Sequence, residues 1–222
     1  MQNKLNKLTM AAAALALTLG AAHAATLDLG TQVFSTTQSL NDEYFVGTGG
    51  DTSTTWTINS GVTVTFGDTS LGGIFLDGET LTISGPGTLI GTISDTRGIR
   101  FTNGDNQHGI VNVTGGATVE FNGLNVRIYA KNPGSWTGMS GTLNIEQGSS
   151  FKAAGTYNSG TGKFTSYNTN EVVPIDVAVY GAGTLVATTN GDFVTFTVAV
   201  PEPSSAALLG LGGLALILRR RK

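Results

Sequence analysis

The chain has 222 residues, of which 32 are glycine, 33 threonine and none cysteine, and only 12% carry a charge. Without cysteine there is no disulfide framework, no thiolate zinc site and no thiol nucleophile. Residues 25–200 hold six basic and 14 acidic side chains, a formal charge of 6 − 14 = −8, which disfavours a nucleic-acid or anionic-membrane surface.

At the N-terminus, Lys4 and Lys7 precede an apolar stretch over residues 9–19, and Ala22-His23-Ala24 follows as a small-x-small site. A positive head, a short greasy segment and such a site make a secretory signal peptide, so residues 1–24 are expected to be removed between Ala24 and Ala25. Residues 26–39 are polar and strand-like. With Val33 and Phe34 as apolar anchors, they are expected to cover the first turn of the domain.

Five segments then share one spacing: two alternating apolar residues, a small turn, and two more. They are Trp56-x-Ile58 with Val64-x-Phe66, Leu81-x-Ile83 with Leu89-x-Gly91, and Val111-x-Val113 with Val119-x-Phe121. Leu143-x-Ile145 with Phe151-x-Ala153, and Val177-x-Val179 with Leu185-x-Ala187, complete the set. Their starts fall 25, 30, 32 and 34 residues apart. Period-2 alternation gives a strand with one buried face, and glycine between two strands allows a tight corner. One such pair cannot bury its face alone, whereas stacked copies line their apolar positions into one core. Residues 73–76, 98–101 and 124–129 would supply a third strand per turn. The pattern favours an all-β fold, a right-handed parallel β-helix. An antiparallel sandwich or jelly roll, with the same pairs as hairpins, is the alternative. In rhythm, though without a diagnostic motif, the region is similar to the β-helical passengers of autotransporters and filamentous haemagglutinin-type adhesins. Residues 158–170 read as a long surface loop, and residues 193–200 as a strong last strand.

Candidate chemistry within the domain is sparse. His108 is the only imidazole left after signal removal, in a turn-rich stretch with Asp105 near in sequence, and reads as an exposed loop histidine. Asp51, Asn103, Asp105 and Asn106 offer oxygen ligands for calcium, but turn formation explains them more simply. No cofactor or metal is expected. Asp42 with Glu43 would point to opposite faces of a strand, and Asp77 with Glu79 flank Gly78 in what looks like a hairpin turn. Trp56 sits at an apolar repeat position and reads as core, whereas Trp136 lies in a loop where it could stack on sugars, helped by Tyr129, Tyr157 and Tyr167. Thr63 with Thr65, and Thr195 with Thr197, would form a hydroxylated face if stacked, as ice-binding solenoids do.

The last segment begins with Pro201-Glu202-Pro203, which ends the preceding strand because proline cannot donate to a ladder. Residues 206–218 carry no charge, and Arg219, Arg220, Arg221 and Lys222 close the chain. As a helix, residues 204–218 would span roughly 22 Å of a hydrocarbon layer about 30 Å thick, with the terminal cations snorkelling on the cytoplasmic side. This arrangement resembles the PEP-CTERM sorting signal, whose parts are a Pro-Glu-Pro motif, a short hydrophobic helix and an Arg-rich end. The resemblance implies an exosortase-type processing enzyme as partner. It also implies transient anchoring in the inner membrane of a Gram-negative bacterium, then release to the cell surface or extracellular matrix.

The expected organisation is a signal peptide (1–24), a β-rich extracellular domain (25–200) and a sorting and anchor segment (201–222). The expected role is structural or adhesive and non-enzymatic, with exopolysaccharide as a neighbour and no nucleic-acid partner. A secreted carbohydrate-active enzyme or carbohydrate-binding β-helix is the alternative, and an ice-binding-like protein a remote third.

Overall fold

Short alternating strands and glycine corners wind the chain into stacked coils. In the computed structural model, residues 27–28, 30–40, 43–45, 53–66, 73–92, 98–102, 106–124, 128–131, 137–167 and 172–200 are described. The first coil holds β1 (Leu27–Asp28), β2 (Gln32–Phe34) and β3 (Gln38–Leu40), and the second β4 (Glu43–Phe45), β5 (Ser53–Ile58) and β6 (Thr63–Phe66). The third has β7 (Gly73–Phe75), β8 (Thr80–Ser84) and β9 (Thr88–Gly91). β10 (Ile99–Arg100), β11 (His108–Val113) and β12 (Thr118–Phe121) form the fourth, and β13 (Ile128–Lys131), β14 (Ser140–Glu146) and β15 (Ser150–Asn158) the fifth.

Each strand pairs in parallel with its counterparts one coil away, giving three sheets: β1-β4-β7-β10-β13, β2-β5-β8-β11-β14 and β3-β6-β9-β12-β15. Parallel pairing between coils is the β-helix and excludes the sandwich alternative, whose hairpins would pair antiparallel. The inward residues stack like on like. Leu81, Val111, Leu143 and Val177 form one column, and Val64, Leu89, Val119 and Phe151 another. Ile74, Ile99 and Ile128 form a third, and the three columns together make one buried core. Removing each such side chain from water is worth roughly 1.5–3 kcal/mol, the main force holding coil to coil.

One register departs from the repeat. Trp56 lies level with Ile83 rather than Leu81, so the buried Thr54 occupies the Leu81 level. The corner holds the reason. A β-carbon on Gly87 would lie 2.3 Å from Ile58 Cγ2, and one on Gly85 2.5 Å from the Ile58 carbonyl oxygen. The side-chain-free Gly85 and Gly87 leave room into which the second coil's longer corner pushes Ile58.

The C-terminal end switches from parallel to antiparallel. β15 turns back into β16 (Lys163–Ser166), β17 (Val172–Val173) runs antiparallel to β13, and β18 (Ile175–Tyr180) adds in parallel to β14. β19 (Thr184–Asn190) and β20 (Phe193–Ala199) form a hairpin, of which β20 pairs antiparallel with β15. Phe196 anchors this end, meeting Phe164 (5.6 Å) and Tyr157 (5.1 Å) edge-on.

Three expectations are corrected here. The fifth repeat is only half a coil, because Leu185 and Ala187 lie on β19, which pairs with β20 and does not stack on Phe151. Residues 158–167 are a turn and a strand rather than a loop: Asn158 Oδ1 accepts from the amides of Gly160 (2.9 Å) and Thr161 (3.2 Å) to make the turn. The segment expected to cover the coil of Trp56 does so, but as a coil of its own, β2 on β5 and β3 on β6, and only Phe34 anchors it: Phe34 is buried edge-on against Trp56, whereas Val33 is 65% exposed.

Candidate functional site

The outer faces of the three sheets present the chemistry available in the described residues. On the second sheet, Thr55, Thr82, Asn112 and Asn144 fall in one row. Asn112 Nδ2 donates to Thr82 Oγ1 (3.2 Å), and Asn144 Nδ2 donates to Asn112 Oδ1 (2.9 Å), so side chains repeat the ladder of the backbone beneath them. Beside this row His108 opens β11 and stands on a strand end, not in a loop. Its Nδ1 lies 2.6 Å from Ser140 Oγ and its Nε2 3.2 Å from Thr142 Oγ1, both on the neighbouring coil. A histidine–serine contact is the first half of a nucleophile dyad, but the second ring nitrogen, which an orienting carboxylate would hold, is occupied here by a hydroxyl. Ser140 was not singled out in the sequence; it lies 32 residues after His108, one coil length in that part of the chain.

On the first sheet, Arg100 stands next to Phe75 with its guanidinium carbon 4.2 Å from the ring centre. Its Nη2 donates to Asp77 Oδ1 at 3.0 Å. Asp77, with φ +49, and Gly78, with φ +94, form the corner between β7 and β8, which lie in different sheets, so this turn is not a hairpin. Glu79 follows it with its backbone held to Leu76 and Ile110. The Asp77 and Glu79 pair considered from the sequence is therefore one carboxylate engaged by arginine and one beyond a glycine corner.

On the third sheet, Thr63, Thr88, Thr118, Ser150 and Thr197 form a single column of hydroxyls across five strands. The column beside it runs Thr65, Ile90, Glu120, Lys152 and Thr195, so the expected threonine pairs stack, but only one column is hydroxylated throughout.

Trp56 is fully buried, as its repeat position predicts. Tyr157 packs on Phe196, and the exposed Tyr167 donates from its hydroxyl to Asp192 Oδ1 (2.7 Å). That bond, together with the nearby negative charge, raises the Tyr167 pKa above its ordinary value. Asn106 takes a left-handed conformation at φ +55. Asp42, Asp51, Asn103, Asp105 and Trp136 lie outside the described residues, as do the side chains of Glu43 and Tyr129. Among the described residues, no three histidine, aspartate or glutamate side chains gather where a metal ion could be held, and no helix is long and apolar enough to cross a membrane. The cleavage pair Ala24 and Ala25, the motif Pro201, Glu202 and Pro203, and the cations Arg219, Arg220, Arg221 and Lys222 also lie outside the described residues.

Residues 199–222 match the family model of the PEP-CTERM protein-sorting motif. No curated protein and no solved structure matches the chain. The match begins on Ala199, the last residue of β20, so the sorting motif follows the β-helix with no spacer. This motif implies an exported protein that an exosortase-type enzyme processes.

Proposed function

We propose that the chain is a structural or adhesive protein of the cell surface or extracellular matrix, without enzymatic activity, delivered by its C-terminal signal. The observation that carries this reading is the sorting motif at residues 199–222, joined directly to a β-helix. The segment over residues 201–222 holds the precursor in the inner membrane, with Arg219, Arg220, Arg221 and Lys222 on the cytoplasmic side, until it is cut near Pro201, Glu202 and Pro203. The released β-helix then offers a half-exposed, uncharged row of threonine and serine hydroxyls, Thr63, Thr88, Thr118, Ser150 and Thr197, to its surroundings. Such a row suits repeated weak hydrogen bonds to a polymer with many hydroxyl groups, which makes exopolysaccharide the favoured neighbour. Its excess of acid keeps the domain soluble outside the cell.

Mass spectrometry of the C-terminus, on surface material from cells with and without an exosortase, tests the reading. The expected result is a chain ending close to Pro201–Pro203 when the enzyme is present and membrane-retained precursor when it is absent. Surface protein that keeps Lys222 in exosortase-positive cells overturns the sorting half. Failure of the released protein to co-sediment with the cells' own exopolysaccharide overturns the choice of neighbour.

A further inference from the structure

The stack has two ends, and they are built differently. At the N-terminal end β1, β2 and β3 are two or three residues long, too short to template another strand effectively. At the other end, β17 lies on the first sheet and β16 meets β18 on the second, but on the third sheet, among the described residues, β19 pairs with β20 alone. β19 is seven residues long and pairs through all seven without a bulge, so its outer edge is straight. All of it is exposed except Leu185, which is half-buried. It lacks two usual protections of an edge: no charged residue and no proline occurs from Gly181 to Gly191.

We propose that this edge joins two copies of the chain, β19 to β19, in an antiparallel pair about a two-fold axis. Only one register pairs all seven residues, and it puts Ala187 on the axis. Thr184 then faces Asn190 of the other copy, Leu185 faces Thr189, and Val186 faces Thr188. Every opposed pair is neutral. Acidic residues outnumber basic ones 14 to six over residues 25–200, so two copies repel each other over much of their surface and least along this edge. Among the described residues, the nearest carboxylate in the hairpin, Asp192, sits in the β19–β20 turn. The antiparallel arrangement sends the two Asp192 turns to opposite ends, roughly 30 Å apart at about 3.4 Å per residue. The symmetric pair is closed, and so it makes a dimer and not a fibre.

The absence of native cysteine gives a direct test in the full-length chain, exported to an oxidising compartment. In an antiparallel pair, directly opposed Cα atoms are about 4.5–5.5 Å apart, within disulfide reach, and diagonal neighbours about 7–8 Å, beyond it. Ala187→Cys is therefore expected to give disulfide-linked dimer on non-reducing gels, at least about tenfold more than Thr188→Cys alone. Co-expressing Val186→Cys with Thr188→Cys should restore the cross-link. A charge exchange provides an independent check: Ala187→Lys and Ala187→Glu should each sediment as monomers in detergent, and their mixture as a dimer. No cross-link at Ala187, equal cross-linking at Thr188, or a dimer that survives Ala187→Lys would each overturn the proposal, the last by locating association on another surface.

Discussion

A β-carbon at Gly109 would stand 2.2 Å from the carbonyl oxygen of Phe101 and 2.9 Å from its Cα, both backbone atoms that cannot step aside. At Gly148 the demand is different: φ is +82 and nothing lies within 4 Å of the added carbon. Gly109→Ala should therefore lower stability through overpacking by about 1–3 kcal/mol, and Gly148→Ala by about 1–2 kcal/mol through left-handed strain alone. Asparagine separates the two causes. Gly148→Asn should return most of the loss, because asparagine tolerates the left-handed region, whereas Gly109→Asn should be at least as damaging as alanine; urea unfolding of the four variants measures this. The role of Gly148 was legible in the sequence, since it stands at the corner of a repeated pattern. That of Gly109 was not: the coil brings Phe101 back over it, and no alternation of residues encodes a backbone approach between neighbouring segments.

Between elements, the bond from Tyr167 to Asp192 ties the end of β16 to the β19–β20 turn. The phenol must keep its proton to donate, and the adjacent carboxylate disfavours a second negative charge, so its pKa is raised above the ordinary 10.0. The raised value fixes the sign of the linkage: the contribution of the bond is whole below the unfolded pKa and is lost as pH climbs through the higher folded one. Near-ultraviolet absorbance titration of wild type against Tyr167→Phe should isolate a tyrosine step above the usual value. Asp192→Asn should return that step towards the usual value. Most strands were legible from alternation, and the stacking of coils two to five from their spacing. Partners at the C-terminal end were not, because Leu185-x-Ala187 alternates as any coil strand does and alternation is silent on whether a neighbour runs parallel. The cue lay in Gly191-Asp192, a Gly-first two-residue hairpin loop between β19 and β20, with Gly191 at φ +59. Lys163-Phe-Thr-Ser166 was harder to see, since Phe164 is its one apolar residue.

Over the whole molecule, stability is distributed along one axis, because each coil leans only on the coils beside it. Amides of β2 and β3, in short strands supported from one side, should exchange with solvent earliest, and those of β8, β11 and β14 last; native-state hydrogen exchange gives this order directly. Uniform protection from β2 to β14 would mean that the coils open together. The candidate site was legible only in part. The C-terminal motif could be read from its residues because a sorting signal is a linear string, whereas the rows on the outer faces exist only once distant coils are in register.

The position of β20 bears on the order of events during export. A polypeptide threaded head first can wind each coil against the one already finished, without waiting for the rest of the chain. The closing hairpin has to wait, since β20 locks onto β15 from the far side of the turn and is the last of the described strands to cross. Its last residue is also the first of the segment by which the precursor is sorted. On the route proposed above, closure of the fold and arrival of the sorting segment would therefore fall at the same stage of export.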